Sequence, residues 1–373
     1  MNETWQLHHT PRRSALADEL TSTLRAAARR LMLDRHARFW AAEIGLETSG
    51  HLSARVVAVR QETADTRTFE LRPSRSWKGH RAGQFTTLGV EIDGVRKRRC
   101  YSISSAPSAA NLCITVKRVA GGAVSNFLHD HVGVGQVVEL TQAAGEFCLP
   151  AVTPERLLFI AGGSGVTPIL SILNELAGRG EYVDAIVVVY ARRRADLIGY
   201  EALGALERAV DGLRFIPRLD DDPRRGAGYR EAELKALVPD LHARQTFLCG
   251  PPGLMEAVRA TWTAEGLMER LRSEAFVASL RTIVSHDRGS VAVTLGRSRR
   301  EVTLSAETPL LDALEAAGER PAFGCRMGIC RTCRCRKVSG AVENTLTGVV
   351  SDAPDEDIAL CISAARSDLH LDL

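Results

Sequence analysis

The sequence predicts a multidomain α+β protein. A small antiparallel β-barrel is followed by an α/β domain on a parallel sheet and then by a compact cysteine-bearing domain of strands and a helix, with a helical extension in front. Three observations predict this. Short alternating strands separated by turn residues fill residues 51–152, the pattern of a small barrel. Continuous apolar runs alternate with helical patterns over residues 153–272, as strands buried on both faces alternate with crossover helices. Cysteines gather in residues 289–373, three of them within nine positions.

Composition narrows the function classes. Hydrophobic residues at 45% and charged residues at 25% are those of an ordinary globular protein. A formal charge of +3 is too small to point to nucleic acid. No apolar run reaches membrane-spanning length, and the stretch after Met1 lacks the pattern of a signal peptide. The nine cysteines show no disulfide-like pairing, so a reducing, cytoplasmic compartment is expected.

Residues 1–50 form the extension. Leu16, Leu20, Leu24, Ala27, Ala28 and Leu31 recur at helical spacing over residues 14–45, and Arg25, Arg29, Arg30, Arg35 and Arg38 occupy the polar side. Such a helix suits peripheral contact with a membrane or an acidic partner. The plainer reading, which we favour, is an apolar face covering the next domain with the arginines in water.

In the barrel, six strands are expected at 52–60, 66–72, 84–90, 98–104, 112–118 and 136–141. The fourth carries Arg99-Cys-Tyr101-Ser102. An arginine, an aromatic ring and a hydroxyl this close suit a phosphate, a flat ring and a ring heteroatom. Twenty residues on, Gly121-Gly122-Ala-Val124-Ser125 opens a short helix, whose free N–H groups suit an anion.

In the α/β domain, strands are expected at 157–161, 185–190, 213–216 and 246–249, with helices at 166–177, 200–210, 231–237 and 253–265. A ligand belongs beyond the strand C-termini. The first strand runs into Gly162-Gly163-Ser-Gly-Val-Thr167-Pro, and the last into Cys249-Gly250-Pro251-Pro. The second ends at Arg192-Arg193-Arg194, where a ribose 2′-phosphate would meet arginine and a 2′-hydroxyl would meet a carboxylate. The sheet is expected to end at Cys249, and residues 266–288 read as connection, with the linker proper at 273–288.

Cys325, Cys330 and Cys333 are spaced C-x4-C-x2-C, and Cys361 follows 28 positions later. That is the plant-type arrangement around a 2Fe-2S cluster. The alternative is structural zinc, which usually takes two paired clips rather than three cysteines plus one.

Arg99-x-Tyr-Ser with Gly121-Gly-x-x-Ser resembles the flavin-binding barrel of the ferredoxin–NADP reductase family, and residues 289–373 resemble plant-type ferredoxins, which are small mixed-sheet (β-grasp) domains. The resemblance implies an NAD(P)H:acceptor oxidoreductase. It implies FAD held by Arg99, Tyr101, Ser102, Gly122, Val124 and Ser125, with the Ser102 hydroxyl near flavin N5. It places nicotinamide near Gly162, Gly163, Thr167, Cys249, Gly250 and Pro251, and the cluster on Cys325, Cys330, Cys333 and Cys361. Ser102 and Cys249 are the expected residues at the reacting edge, and Glu274 and Phe276 are expected to close it. Arg192 and Arg193 lean the coenzyme towards NADPH over NADH. Electrons would pass from NAD(P)H through FAD and the cluster to an oxygenase, hydroxylase or fatty-acyl desaturase; a redox-sensing protein and reverse flow to NADP+ are the alternatives. Arg326, Arg331, Arg334, Arg336 and Lys337 would make the cluster surroundings basic and favour an acidic docking face on the acceptor, unless they merely solvate the loop.

Overall fold

The computed structural model describes residues 52–92, 95–180, 182–276, 289–324, 326, 328 and 332–373. The helix expected over residues 14–45 lies outside the described residues, as do the stretch 277–288 and Cys325, Cys330 and Arg331.

The first unit contains β1 (Leu52–Thr63), β2 (Thr66–Pro73), β3 (Phe85–Ile92), β4 (Val95–Ser102), β5 (Leu112–Lys117), helix α1 (Ala123–His131) and β6 (Val137–Leu140). These strands form one antiparallel sheet in the order β4-β3-β6-β1-β2-β5. A bridge between Ile103 and Ile114 joins its two edges, so the sheet curls into a barrel. The alternation seen in the sequence sends Val56, Phe69, Leu71, Leu88, Ile114 and Val116 inward to a common core.

The second unit contains β7 (Arg156–Gly162), α2 (Val166–Arg179), β8 (Asp184–Ala191), α3 (Tyr200–Ala209), β9 (Leu213–Leu219), α4 (Glu231–Leu237), β10 (Gln245–Cys249), α5 (Pro252–Ala264) and β11 (Leu271–Glu274). All five strands are parallel, in the order β11-β10-β7-β8-β9. The apolar runs are buried on both faces: Phe159 and Phe247 pack against α2 and α3, Ile160 and Leu248 against α4 and α5. Strand β11 departs from expectation, since Leu271–Glu274 extends the sheet where the sequence reads as connection. Leu-Arg-Ser-Glu has no apolar run to announce it. An edge strand needs only backbone pairing, and the register sets Glu274 beside Cys249.

The third unit contains β12 (Ser290–Leu295), β13 (Arg300–Ser305), α6 (Leu310–Ala316), β14 (Arg334–Ser339), β15 (Val342–Asn344), β16 (Val350–Ser351), β17 (Glu356–Ala359), β18 (Ser363–Ala365) and β19 (Leu369–Leu371). Its main sheet runs β13-β12-β19-β14-β17, with β12 and β19 parallel, and a smaller sheet runs β16-β15-β18. Helix α6 buries Leu310, Leu311 and Leu314 against these strands. Lys337 of β14 is fully buried, and its Nζ donates to the carbonyls of Gly340 (2.8 Å), Ala353 (2.7 Å) and Ser351 (3.4 Å) with Glu356 at 3.5 Å.

Candidate functional site

Strand β4 delivers Arg99, Tyr101 and Ser102 at the end of a continuous antiparallel pairing with β3. Ser102 is 4% exposed, yet its Oγ has no hydrogen-bond partner. A buried unpaired hydroxyl costs roughly 1–3 kcal/mol, a cost that an accepting ligand atom would relieve. Tyr101 packs against the barrel core, and burial pushes its phenol well above the ordinary range, so it stays neutral. Arg99 folds back on its own strand, Nη1 donating to the Arg98 carbonyl at 2.8 Å. Helix α1 opens after Gly122 with no side-chain cap and no carboxylate in its first turn, leaving N–H groups for an anion. A Cβ on Gly122 would stand 2.6 Å from Ser125 Oγ. Ser125 Oγ braces that turn, accepting from Val119 N and donating to Gly122 O, each at 3.3 Å. The Val124 side chain belongs to the core, so only its backbone is available to a ligand.

The turn after β7 is wedged onto the end of β10. A Cβ on Gly165 would lie 2.1 Å from the Cys249 carbonyl oxygen, and one on Gly162 would lie 2.7 Å from Pro251 Cδ. Thr167 Oγ1 donates to Ser164 O at 2.8 Å and stiffens the turn from within. Cys249 is fully buried; burial, aided by Glu274, pushes its thiol up and keeps it neutral. Burial also raises the Glu274 carboxyl to about 7, and its Oε2 has no partner. Helix α2, which leaves the turn, is tied to the barrel just beyond Ser102. Ser171 Oγ donates to Ser105 O at 2.7 Å, and Asn174 Nδ2 to Ser104 O at 3.2 Å. Ser102 and the glycine turn therefore share one seam between the two sheets.

A cleft of about 510 Å³ continues from that turn and is lined by Gly162, Gly163, Pro251, Tyr190 and Arg192 together with Tyr229, Lys117, Asp196 and Asp220. Gly250 backs it, its ideal Cβ position being 3.1 Å from Gly162 N. Arg193 does not line it. Its Nε and Nη2 donate to Asp196 at 3.1 and 3.2 Å, which holds the Asp196 carboxyl below the usual range. Of the two arginines expected at the ribose, only Arg192 faces the cleft. Sequence reasoning missed Tyr229, Lys117 and Asp220. A Gly-Tyr step ahead of α4 is a faint signal for Tyr229, and Lys117 arrives from the barrel without any local motif.

In the third unit, Cys333 and Cys361 are buried in one apolar cluster. Leu360 N donates to the Cys333 carbonyl at 3.1 Å, and Gly328 N donates to Cys361 Sγ at 3.2 Å. Gly328 has φ +75°, and a Cβ there would stand 2.4 Å from Ile362 Cδ1, so only glycine fits. Neighbouring buried thiols with an N–H aimed at sulfur fit a 2Fe-2S cluster. The described residues expected to make the surroundings basic each have a carboxylate partner. Arg326 donates to Asp312 (2.7 Å) and Glu315 (2.6 Å), Arg334 to Asp357 (2.5 Å) and Arg336 to Asp355 (2.7 Å), while Lys337 is buried. Among the described residues, these side chains form neutralised pairs, not a free basic patch.

Comparison with known proteins bears on the whole arrangement. The oxidoreductase FAD-binding domain, the oxidoreductase NAD-binding domain and the 2Fe-2S iron-sulfur cluster binding domain match residues 53–148, 159–260 and 293–366 in that order. NADPH oxidoreductase of Mycobacterium tuberculosis is 34% identical over 333 residues, 88% of this chain and 86% of that protein. The chain belongs to the ferredoxin–NADP reductase family, joined to a plant-type ferredoxin. The reductase is also 31% identical over 353 residues to the glycine betaine monooxygenase reductase subunit of Pseudomonas aeruginosa, covering 87% of this chain and 96% of that one. It shares the fold of phthalate dioxygenase reductase, with a TM-score of 0.60 at 24% identity over 87% of this chain and 98% of that one. This reductase is an oxidoreductase that passes electrons from NAD(P)H through FAD to a 2Fe-2S centre. Among the described residues, no helix is long and apolar enough to cross a membrane.

Proposed function

We propose that this reductase supplies electrons from NADPH to the terminal protein of a multicomponent oxygenase. The observation that carries the reading is the seam where the unpartnered Ser102 hydroxyl and the Gly162–Thr167 turn meet through the Ser171–Ser105 bond. A donor on one sheet and a recipient on the other can approach there. Relatives named as reductase subunits of glycine betaine monooxygenase and stachydrine N-demethylase support an oxygenase as the destination.

Each residue then has a task. Bound FAD supplies the conversion of a two-electron hydride into single electrons. Ser102 offers its hydroxyl to the reacting edge, and Tyr101 packs the ring face. The α1 N-terminus with Gly122, Val124 and Ser125, together with Arg99 once it swings from Arg98, holds the pyrophosphate. Cys249 stands neutral behind the nicotinamide position with Glu274 beside it, and Thr167 fixes the turn. Cys325, Cys330, Cys333 and Cys361 hold the cluster. Arg192 and Lys117 line the cleft beside Asp196 and Asp220 where a 2′-phosphate would lie, and a relative carries the name NADPH oxidoreductase.

Anaerobic stopped-flow mixing with NADPH and NADH tests this. Cluster bleaching should follow flavin bleaching, with kcat/KM higher for NADPH, and Arg192→Ala should cut that preference about tenfold. Equal use of both coenzymes would defeat the NADPH assignment. A cluster that neither coenzyme reduces would defeat the electron-transfer reading in favour of a sensing role. With the cluster-side arginines paired internally, delivery to the oxygenase should depend only weakly on salt; a steep dependence would restore an acidic docking face.

A further inference from the structure

We propose that Glu233, in the first turn of α4, is a positioning residue for the coenzyme: it holds the 220–230 loop in the shape that completes the cleft wall. The inference rests on reading that cleft as the coenzyme's adenosine end. The loop runs from β9 to α4 and supplies Asp220, Gly228 and Tyr229 to the lining.

Its ends are held by backbone and short side-chain bonds. Asp220 N and Asp221 N donate to the Ala191 and Arg192 carbonyls at 3.0 and 3.1 Å. Gly228 N donates to Asp220 Oδ1 at 2.7 Å, and Tyr229 OH to Thr261 Oγ1 at 2.8 Å. In the middle, Arg225 N donates to Asp222 O and Arg224 N to Asp222 Oδ1, each at 3.0 Å, but Gly226 and Gly228 leave little stiffness beyond that turn. Glu233 supplies it. Arg225 from the loop donates Nε to Glu233 Oε1 at 2.8 Å, Arg218 from β9 pairs with the same carboxylate, and Arg230 stands 3.7 Å away. One carboxylate thus gathers strand, loop and helix. The side chains of Arg218, Arg225 and Glu233 are only 10%, 15% and 20% exposed, so these contacts escape most solvent screening.

Three guanidiniums on one carboxylate leave a surplus of positive charge near an anionic coenzyme, and this allows a rival account in which the cluster acts by charge alone. The two accounts separate cleanly. If charge matters, Glu233→Gln adds a positive unit and lowers KM, while Arg225→Lys changes nothing. If shape matters, both variants loosen the loop and raise KM, because lysine keeps the charge but loses the two-pronged fit.

The experiment uses the holoenzyme, with flavin reduction by NADPH followed in stopped flow for Glu233→Gln, Arg225→Lys and Arg192→Ala. We expect KM to rise about fivefold to tenfold in the first two, with the limiting rate within about twofold of the parent. Hydrogen exchange of the 220–230 amides should quicken in both. A lowered KM in Glu233→Gln, or unchanged KM and exchange in both variants while Arg192→Ala raises KM, overturns the proposal. No effect of Arg192→Ala overturns the cleft reading instead. Should Glu233→Gln fail to fold, Arg225→Lys decides alone.

Discussion

Two buried ionisable side chains, Lys337 in β14 and Glu274 in β11, are treated in opposite ways. Lys337 is surrounded by three carbonyl acceptors and a nearby carboxylate, so every proton of its ammonium has a destination. Glu274 is almost as deeply buried, yet one oxygen has no partner and its carboxyl is raised to about 7. A buried charge that is fully met belongs to the architecture. One left partly unmet, beside the glycine turn, keeps an oxygen that a bound group could meet. The same contrast recurs among hydroxyls: Thr167 spends its proton inside its own turn, whereas Ser102 has no protein acceptor.

Replacing members of these pairs sharpens or breaks the comparison. Lys337→Met strands three carbonyls and should cost about 3–5 kcal/mol, read as an early melting step accompanied by loss of cluster absorbance. A cost below about 1 kcal/mol would show that Lys337 is not a structural cation. For Glu274 the sign follows from a carboxyl raised from 4.5 to about 7 in the folded state. The folded protein holds that proton more tightly, so the contribution is complete below pH 4.5, shrinks as pH rises to about 7, and is constant above. Unfolding free energies from urea titrations should fall by roughly 3 kcal/mol over that interval from this group, and Glu274→Gln should flatten the loss. Parallel profiles for parent and variant would refute the assignment. The smallest effects carry opposite signs. Thr167→Val should cost about 1 kcal/mol, while Ser102→Ala should leave the flavin-free protein unchanged or up to about 1 kcal/mol more stable, yet slow flavin reduction. Equal destabilisation by both would erase the distinction.

Much of the fold was legible because it repeats a period. All six barrel strands and the four apolar strands of the parallel sheet alternate or run in ways that only one kind of sheet can bury. Of the residues expected around nicotinamide and ribose, Gly162, Gly163, Pro251 and Arg192 do meet in one cleft. What escaped depends on register. Glu274, expected at the reacting edge only through the family resemblance, is 25 positions from Cys249 and reaches it because β11 pairs in parallel with β10. The carboxylates that neutralise Arg334 and Arg336 come from Asp357 and Asp355, brought across by the antiparallel pairing of β14 with β17. Neither partnership has a local spacing to betray it. Arg193 is different: Asp196 lies three positions on, and only the shape of the turn decided that it would be the partner.

The bond from Leu360 N to the Cys333 carbonyl has a consequence for how the protein matures. It brings the distant cysteine to the side of its neighbour through the pairing of β17 with β14, a closure spanning more than twenty residues. Cofactor loading therefore depends on that hairpin being closed. Chains in which that hairpin opens often would fill slowly, whatever the supply of iron and sulfide.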